Sequence, residues 1–324
     1  MKRRLMTKIF LMFIILLPRA GQMANGQAYK YHMASVDGHA TNQQTVVGTI
    51  RSHSVAGGET LLDIARHYGL GFNELSILYP EVDPWIPEVG SVMNIPTQWV
   101  LPSTKYHEIV INLAELRLYR FFPRSKMVKT YPIGIGEVRF ETPEGAYSVT
   151  AKEIDPVWIV PDSLRKYHDF ISLPPGPRNP LGKYWIGLSR RGYGIHGTNF
   201  PWCVGRMVSR GCIRLYPEDI VQLFHEVSAG TVVEVVYQPV KVGIKGEQVF
   251  VEVHPDIYGK GVDMEGDARK GLLALGCLDH IFVQKLEAAL KQQDGVPVEI
   301  GTIRKGGEEP SVAYISPLDR LERR

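Results

Sequence analysis

The sequence predicts a multidomain α+β protein: a small βααβ unit, then a mainly-β domain, then a small α+β region. Three observations carry this. Residues 53–97 alternate strand, helix, helix and strand signals, residues 107–237 are a succession of strand-like runs with one clear helix, and an amphipathic helix follows at 278–293.

Taken in order, residues 1–28 hold Lys2, Arg3, Arg4 and Lys8, the apolar run Ile9 to Leu17, and small residues at Ala24, Gly26 and Ala28. A basic start, a short apolar segment and a small-residue exit describe a secretory signal peptide; the small residues fit cleavage after Ala28, and the alternative is an uncleaved anchor. The apolar run is too short to span a bilayer, which takes roughly 20 residues as a helix. Residues 29–52 are polar and poorly periodic and read as a flexible lead-in with at most one short strand; His32 and His39, seven apart, are solvated histidines rather than a metal pair.

His53 to Val55 alternates like a strand, Ala56-Gly57-Gly58 turns, and Thr60 caps a helix through Leu61, Leu62, Ile64, Ala65 and Tyr68 that Gly69 stops. A second helix fits Asn73 to Tyr79 and a strand Val92 to Ile95; Trp99 to Tyr106 reads as a linker. Strands are then expected at 109–113, 116–121, 128–135, 145–152, 183–188 and 231–237, with a helix at 217–228 opened by Pro217. Between Asp155 and Asn179 lies a proline-rich insertion with Trp158, Tyr167 and Phe170, a lid or binding loop unless it is a surface elaboration. Residues 240–303 offer one more hairpin, the helix at 278–293 and a last strand at 296–300, an accessory domain without an evident role; 304–324 form a charged, loose tail.

The composition is ordinary for a globular chain, with 44% hydrophobic and 22% charged residues. Removing residues 1–28 takes away five positive charges and no acid, so the formal charge falls from +3 to −2 and no basic stripe remains to suit a nucleic acid. Three cysteines, Cys203, Cys212 and Cys277, are too few for a disulfide framework and leave at least one free thiol. Cys203 could pair with Cys277, but each reads better as a small buried apolar residue.

Residues 53–97 resemble a LysM module. The matching pieces are the Val-Ala-Gly-Gly-Glu-Thr-Leu opening, Ile64-Ala65 with Tyr68-Gly69, Glu74-Leu75, and Val89-Gly90 with Ile95-Pro96. Glu59 stands where the opening usually has Asp. The resemblance implies binding to N-acetylglucosamine-containing glycan strands.

The chemistry concentrates in Tyr193-Gly194-Ile195-His196-Gly197-Thr198 and Ser209-Arg210-Gly211-Cys212-Ile213-Arg214-Leu215. A thiol needs a base or positive neighbour to become a nucleophile near neutral pH, and His196 can serve. Gly211 lets a carbonyl approach Cys212, and the amides around Gly211 and Cys212 are natural donors to an oxyanion. If 212–215 is extended, Arg214 shares a face with Cys212 and could hold a carboxylate. Cys203, His196 and Cys212 lack familiar zinc-ligand spacing. On these residues alone, an inert core thiol beside a satisfied histidine stays open.

These segments, with Thr142-Pro143-Glu144-Gly145, Asn179-Pro180-Leu181-Gly182 and the Ile111-Asn112, Leu116 and Leu118-Tyr119 hairpin, resemble the L,D-transpeptidase catalytic domain in the order of that family. The resemblance implies peptidoglycan remodelling in the periplasm or cell envelope, with Cys212 as acylated nucleophile, His196 as its base and the backbone carbonyl of Gly197 orienting the imidazole. Ser209 and Gly211 would shape the pocket, Arg214 would contact the donor peptide and Tyr193 would line it. Arg210 departs from the second histidine of many members. The implied reaction releases a terminal D-Ala from a tetrapeptide stem, forms a thioester and passes the acyl group to an amine, from a second stem peptide or a lysine of an outer-membrane lipoprotein, with no metal or organic cofactor. The competing readings are an L,D-carboxypeptidase with water as acceptor, and a non-enzymatic cell-wall anchor working through the glycan-binding module.

Overall fold

The computed structural model describes residues 27–32 and 43–303. The expected signal peptide lies outside them except at its last residues, as do His39 and the C-terminal tail. Among the described residues a nine-stranded sheet runs in the order Ala28–Lys30, Met127–Pro132, Arg117–Phe122, Ile109–Asn112, Val232–Val236, Gly145–Ile154, Tyr184–Leu188, Gly194–His196 and Ile213–Arg214. Two pairings are parallel, Ile109–Asn112 with Val232–Val236 and Gly194–His196 with Ile213–Arg214. Strand Gly145–Ile154 joins the two halves, pairing with Val232–Val236 through its first residues and with Tyr184–Leu188 through its last.

One half of this sheet is covered on both faces. Ile109, Ile111 and Leu118 point into the main core with Ile186, Ile195, Ile213 and the buried side of helix Pro217–Glu226, namely Ile220, Leu223 and Phe224. Val110, Tyr119, Phe121 and Val128 point the other way, into a second core shared with Leu61, Ile64, Leu75 and Ile95. Burial on both faces explains why Ile109-Val110-Ile111 is uninterruptedly apolar rather than alternating. At about 1.5–3 kcal/mol for each fully buried aliphatic side chain, the two layers hold the sheet from opposite sides.

The second layer is the βααβ unit: strand Arg51–Ser54, helices Leu61–His67 and Phe72–Leu78, and strand Val92–Ile95 antiparallel to the first. Thr60 caps the first helix through a reciprocal pair with Asp63, worth about 1 kcal/mol. Glu59 has a local reason: its carboxylate accepts from the Ala56 amide at 2.8 Å and meets His53 at 2.9 Å, closing the turn. The unit is clamped to the rest of the chain by Arg66, whose guanidinium donates two 2.7 Å bonds to Glu218, and by the buried Arg117–Glu74 pair beneath Trp99. Its backbone also meets the β-rich domain directly: a Cβ on Gly71 would stand 2.7 Å from the Cα of Gly205, which only two glycines allow.

Three expectations are corrected. The lead-in is not loose where it is described: Ala28–Lys30 extends the large sheet, Val46–Gly48 pairs with Gln98–Val100, and the rings of Tyr29 and Tyr31 pack on Trp99, Tyr106 and Phe121. The start of the expected linker is accordingly a buried strand, because pairing satisfies its backbone and Trp99 enters the second core. The C-terminal region contains a second helix, Met264–Ala274, that its two internal glycines concealed. This region has its own core, with helices Met264–Ala274 and Val283–Gln292 against strands Val240–Lys245, Gln248–Val253 and Val298–Thr302.

A buried ionic cluster joins it to the sheet. Lys241 Nζ lies 2.7 Å from Glu115 and 2.8 Å from Glu252, and donates to the Val100 carbonyl at 2.7 Å; Glu252 also meets His254 at 2.6 Å. Glu115, Glu252 and His254 have the proximity of metal ligands, but the Lys241 ammonium already supplies their cation.

Candidate active site

The parallel pairing of Gly194–His196 with Ile213–Arg214 builds the site. Ile195 is opposite Ile213 and His196 opposite Arg214. Both isoleucines point into the main core, so the alternating positions, Gly194 and His196 on one strand, Arg214 on the other and Cys212 just before it, share the opposite face. Strands about 4.8 Å apart and a two-residue step of about 6.6 Å put Cys212 and His196 diagonally adjacent, about 8 Å between Cα atoms.

His196 is buried and its ring is fixed. Its Nδ1 lies 2.6 Å from the Gly197 carbonyl, so Nδ1–H donates there and Nε2 carries the lone pair. The Trp185 ring stacks on it at 5.6 Å and 23°, and the Leu181 carbonyl also favours the protonated form. Burial, then the Arg214 charge, push its pKa down to about 3 against these carbonyls, so the imidazole is neutral at pH 7. Cys212 is half-buried, with Sγ donating to the Gly192 carbonyl at 3.5 Å. Burial pushes this thiol up, while the Gly194 backbone and Arg214 pull it down. Thiol and imidazole are therefore both neutral at rest rather than a standing ion pair.

The turn that presents the sulfur is held by Ser209. Its buried hydroxyl accepts from the Gly211 amide at 3.1 Å and donates to the Cys212 carbonyl at 2.5 Å. Gly211 has φ +101°, and a Cβ there would stand 2.6 Å from Cε1 of Tyr193, so the expected pocket-lining tyrosine packs directly on the turn. One expectation changes: the Gly211 amide is committed to the Ser209 hydroxyl. Arg210 lays its guanidinium over the Phe140 ring at 4.2 Å.

The upstream motifs act as braces. Thr142 accepts from the Gly136 amide at 3.0 Å, and Gly136 is paired with Ser209. Fully buried Asn179 donates to the Pro156 carbonyl at 2.8 Å and accepts from the Leu181 amide at 2.9 Å, tying the base of the insertion to the segment beside His196. The insertion itself is a short ladder, Trp158–Ile159 with Ser172–Leu173. Trp158, His168 and Phe170 line a cleft of about 370 Å³ with Phe200 and Arg214. Arg214 has no acidic partner among the described residues, and its Nε is buried without a hydrogen bond. Sequence reasoning missed Trp185, Leu181 and Gly192. Strand alternation in Lys183–Leu188, with Tyr184, Ile186 and Leu188 inward, was the signal that could have put Trp185 on the site's face. Cys203 and Cys277 are free, buried and in different cores, as small apolar residues would be.

The arrangement can take a proton from a thiol, admit a carbonyl over Gly211 and offer a guanidinium to a carboxylate. A family model described as the L,D-transpeptidase catalytic domain, YkuD, matches residues 106–235. The chain is 35% identical over 273 residues to "Probable L,D-transpeptidase ErfK/SrfK" of Escherichia coli K12, covering 80% of this chain and 87% of that protein. It is 38% identical over 227 residues to "Probable L,D-transpeptidase YcfS" of the same strain, covering 66% and 71%. With "Probable L,D-transpeptidase YbiS" of that strain the figures are 32% over 276 residues, covering 80% and 90%. Similarity of this length extends beyond the matched domain into the units on both sides of it.

Proposed function

The chain belongs to the L,D-transpeptidase family, and on that premise we propose that it is a peptidoglycan L,D-transpeptidase working through Cys212 as nucleophile and His196 as general base. The observation that carries the assignment of residues is the strand register, which gives Cys212, His196 and Arg214 one face while the Gly197 carbonyl reserves Nε2 for the thiol proton.

A tetrapeptide stem enters with a carboxylate or carbonyl oxygen accepting from Arg214. His196 Nε2 takes the Cys212 proton as sulfur attacks the carbonyl that precedes the terminal D-Ala. The Cys212 amide donates to the developing oxyanion. Collapse breaks the C–N bond, the imidazolium returns its proton to the leaving amine, and D-Ala departs from a Cys212 thioester. An acceptor amine then attacks, giving its proton to His196, and the new amide leaves as the thiol re-forms. Atoms balance without metal or organic cofactor. The Asp155–Asn179 insertion is the natural shield of the thioester against water, a reading supported by its Trp158 and Phe170 rings beside Arg214. The βααβ unit, with its Thr60 cap and helix pair, serves as a LysM glycan-binding module. The basic, apolar and small-residue order of the first 28 residues supports export to the periplasm or envelope. The acceptor is an amine of a second stem peptide or of an outer-membrane lipoprotein.

Intact-protein mass spectrometry after incubation with a donor tetrapeptide tests the assignment. Expected is an acyl adduct on Cys212 with loss of D-Ala, absent from Cys212→Ala and transferred when a stem-peptide amine is added. An adduct that persists in Cys212→Ala refutes the assignment. Loss of the acyl group only to water, whatever amine is supplied, refutes transfer.

A further inference from the structure

A second cleft, of about 390 Å³, opens where the βααβ unit meets the catalytic domain. Trp85, on the loop after helix Phe72–Leu78, supplies one wall; Phe200, Trp202, Cys203, Arg206, Val208 and Arg214 supply the rest. The seam that sets its width is fixed: Tyr216 donates to the Leu70 carbonyl at 3.2 Å, the Phe72 amide meets the Val204 carbonyl at 3.4 Å, and Arg66 grips Glu218.

One feature of this cleft has no structural explanation. Trp85 and Trp202 are 59% and 52% exposed, with Phe200 at 59% beside them, so large flat apolar faces stand in water at the mouth. Rings of this kind ordinarily contribute to a core or an interface. Arg206 lays its guanidinium over the Phe72 ring at 3.9 Å, and neither it nor Arg214 has an acidic partner among the described residues. Aromatic faces flanked by two guanidinium groups without acidic partners suit a ligand with apolar ring faces and carbonyl or carboxylate oxygens. Arg214 belongs both to this cleft and to the one under the insertion, so the cleft leads to the reacting strand pair.

We propose that this cleft is a glycan subsite for the strand carrying the donor peptide: an N-acetylated amino sugar stacks on Trp85 and Trp202, and Arg206 and Arg214 donate to the oxygens of the stem leaving it. The proposal rests on the transpeptidase reading, since it takes the ligand to be the sugar already attached to that donor. The two units are then one binding surface, with the βααβ unit supplying a wall of the catalytic cleft.

The test compares two donors on the full chain, a disaccharide-tetrapeptide and the same tetrapeptide without sugar, by the kcat/KM of D-Ala release. The wild-type protein prefers the sugar-bearing donor. Trp85→Ala and Trp202→Ala each reduce that preference by roughly five- to tenfold, mainly through KM, a stacking interaction of about 1 kcal/mol. A wild-type protein that treats the two donors alike, or a preference unchanged in both variants, overturns the subsite. Failure of the transpeptidase reading looks different: neither donor acylates Cys212. In that event calorimetry on Cys212→Ala with the free disaccharide decides the subsite, which stands only if binding is present and is weakened by Trp85→Ala.

Discussion

Gly211→Ala should disarm the nucleophile far more than it weakens the fold. The residue has φ +101°, a region that side chains avoid at a cost of about 1–3 kcal/mol. The added methyl would also stand 2.6 Å from Tyr193 Cε1, whereas carbon atoms pack at about 3.5–4.0 Å, so about 1 Å must be found. The turn has little room to retreat, because the Glu141 carbonyl lies 3.4 Å from the same methyl. Tyr193 is held too: its carbonyl accepts from Leu188 at 3.0 Å and Arg190 covers its ring. The strain is therefore relieved by moving the turn that carries Cys212, and about 1 Å of misplacement costs on the order of 100-fold in rate. Single-turnover acylation followed by intact mass should slow by that factor while the melting temperature falls by a few degrees. Adding Tyr193→Ala removes the overlap but not the φ strain and should recover about tenfold. Acylation of Gly211→Ala within about threefold of the parent would refute the reasoning.

Three further outcomes follow from the same structure. Because burial raises the Cys212 thiol, its thiolate fraction at a given pH is below that of a free cysteine; iodoacetamide labelling of the resting protein should rise through a pKa above the ordinary value of about 8.5, and fast, pH-independent labelling between pH 5 and 8 would show a standing ion pair instead. Lys241→Met leaves Glu115 and Glu252 buried together without their cation and should destabilise by about 3–5 kcal/mol in urea unfolding, with part recovered by adding Glu115→Gln; a loss under 1 kcal/mol would contradict the cluster's role. Asn179→Ala frees the base of the insertion, so limited proteolysis within 155–179 should accelerate by about tenfold, in keeping with the loss of a buried hydrogen-bonded side chain; an unchanged cleavage rate would mean that other contacts hold the insertion.

Local physics was legible in the sequence. The Thr60 cap, the Pro217 start, the 109–121 hairpin and the Cys212, His196, Ser209 and Gly211 set were readable because capping, alternation and side-chain chemistry depend on neighbours within a few positions. Helix Met264–Ala274 escaped because Gly266 and Gly271 cancel its propensity until packing on Val242 and its neighbours supplies the stability. Strand Gln98–Val100 escaped because its partner, Val46–Gly48, lies half a hundred residues upstream.

What the sequence determined by itself is the chemistry available: a thiol, an imidazole, a guanidinium and the glycines that let a carbonyl approach. Only the tertiary structure decided that they meet on one face. That depends on the parallel register joining 194–196 to 213–214, on Trp185 and two backbone carbonyls fixing the imidazole, and on the seam that brings Trp85 to the cleft of Arg214. Register and docking are settled by side chains distant in the chain burying one another, and a pairing shifted by one residue would turn His196 into the core and Ile195 to the substrate.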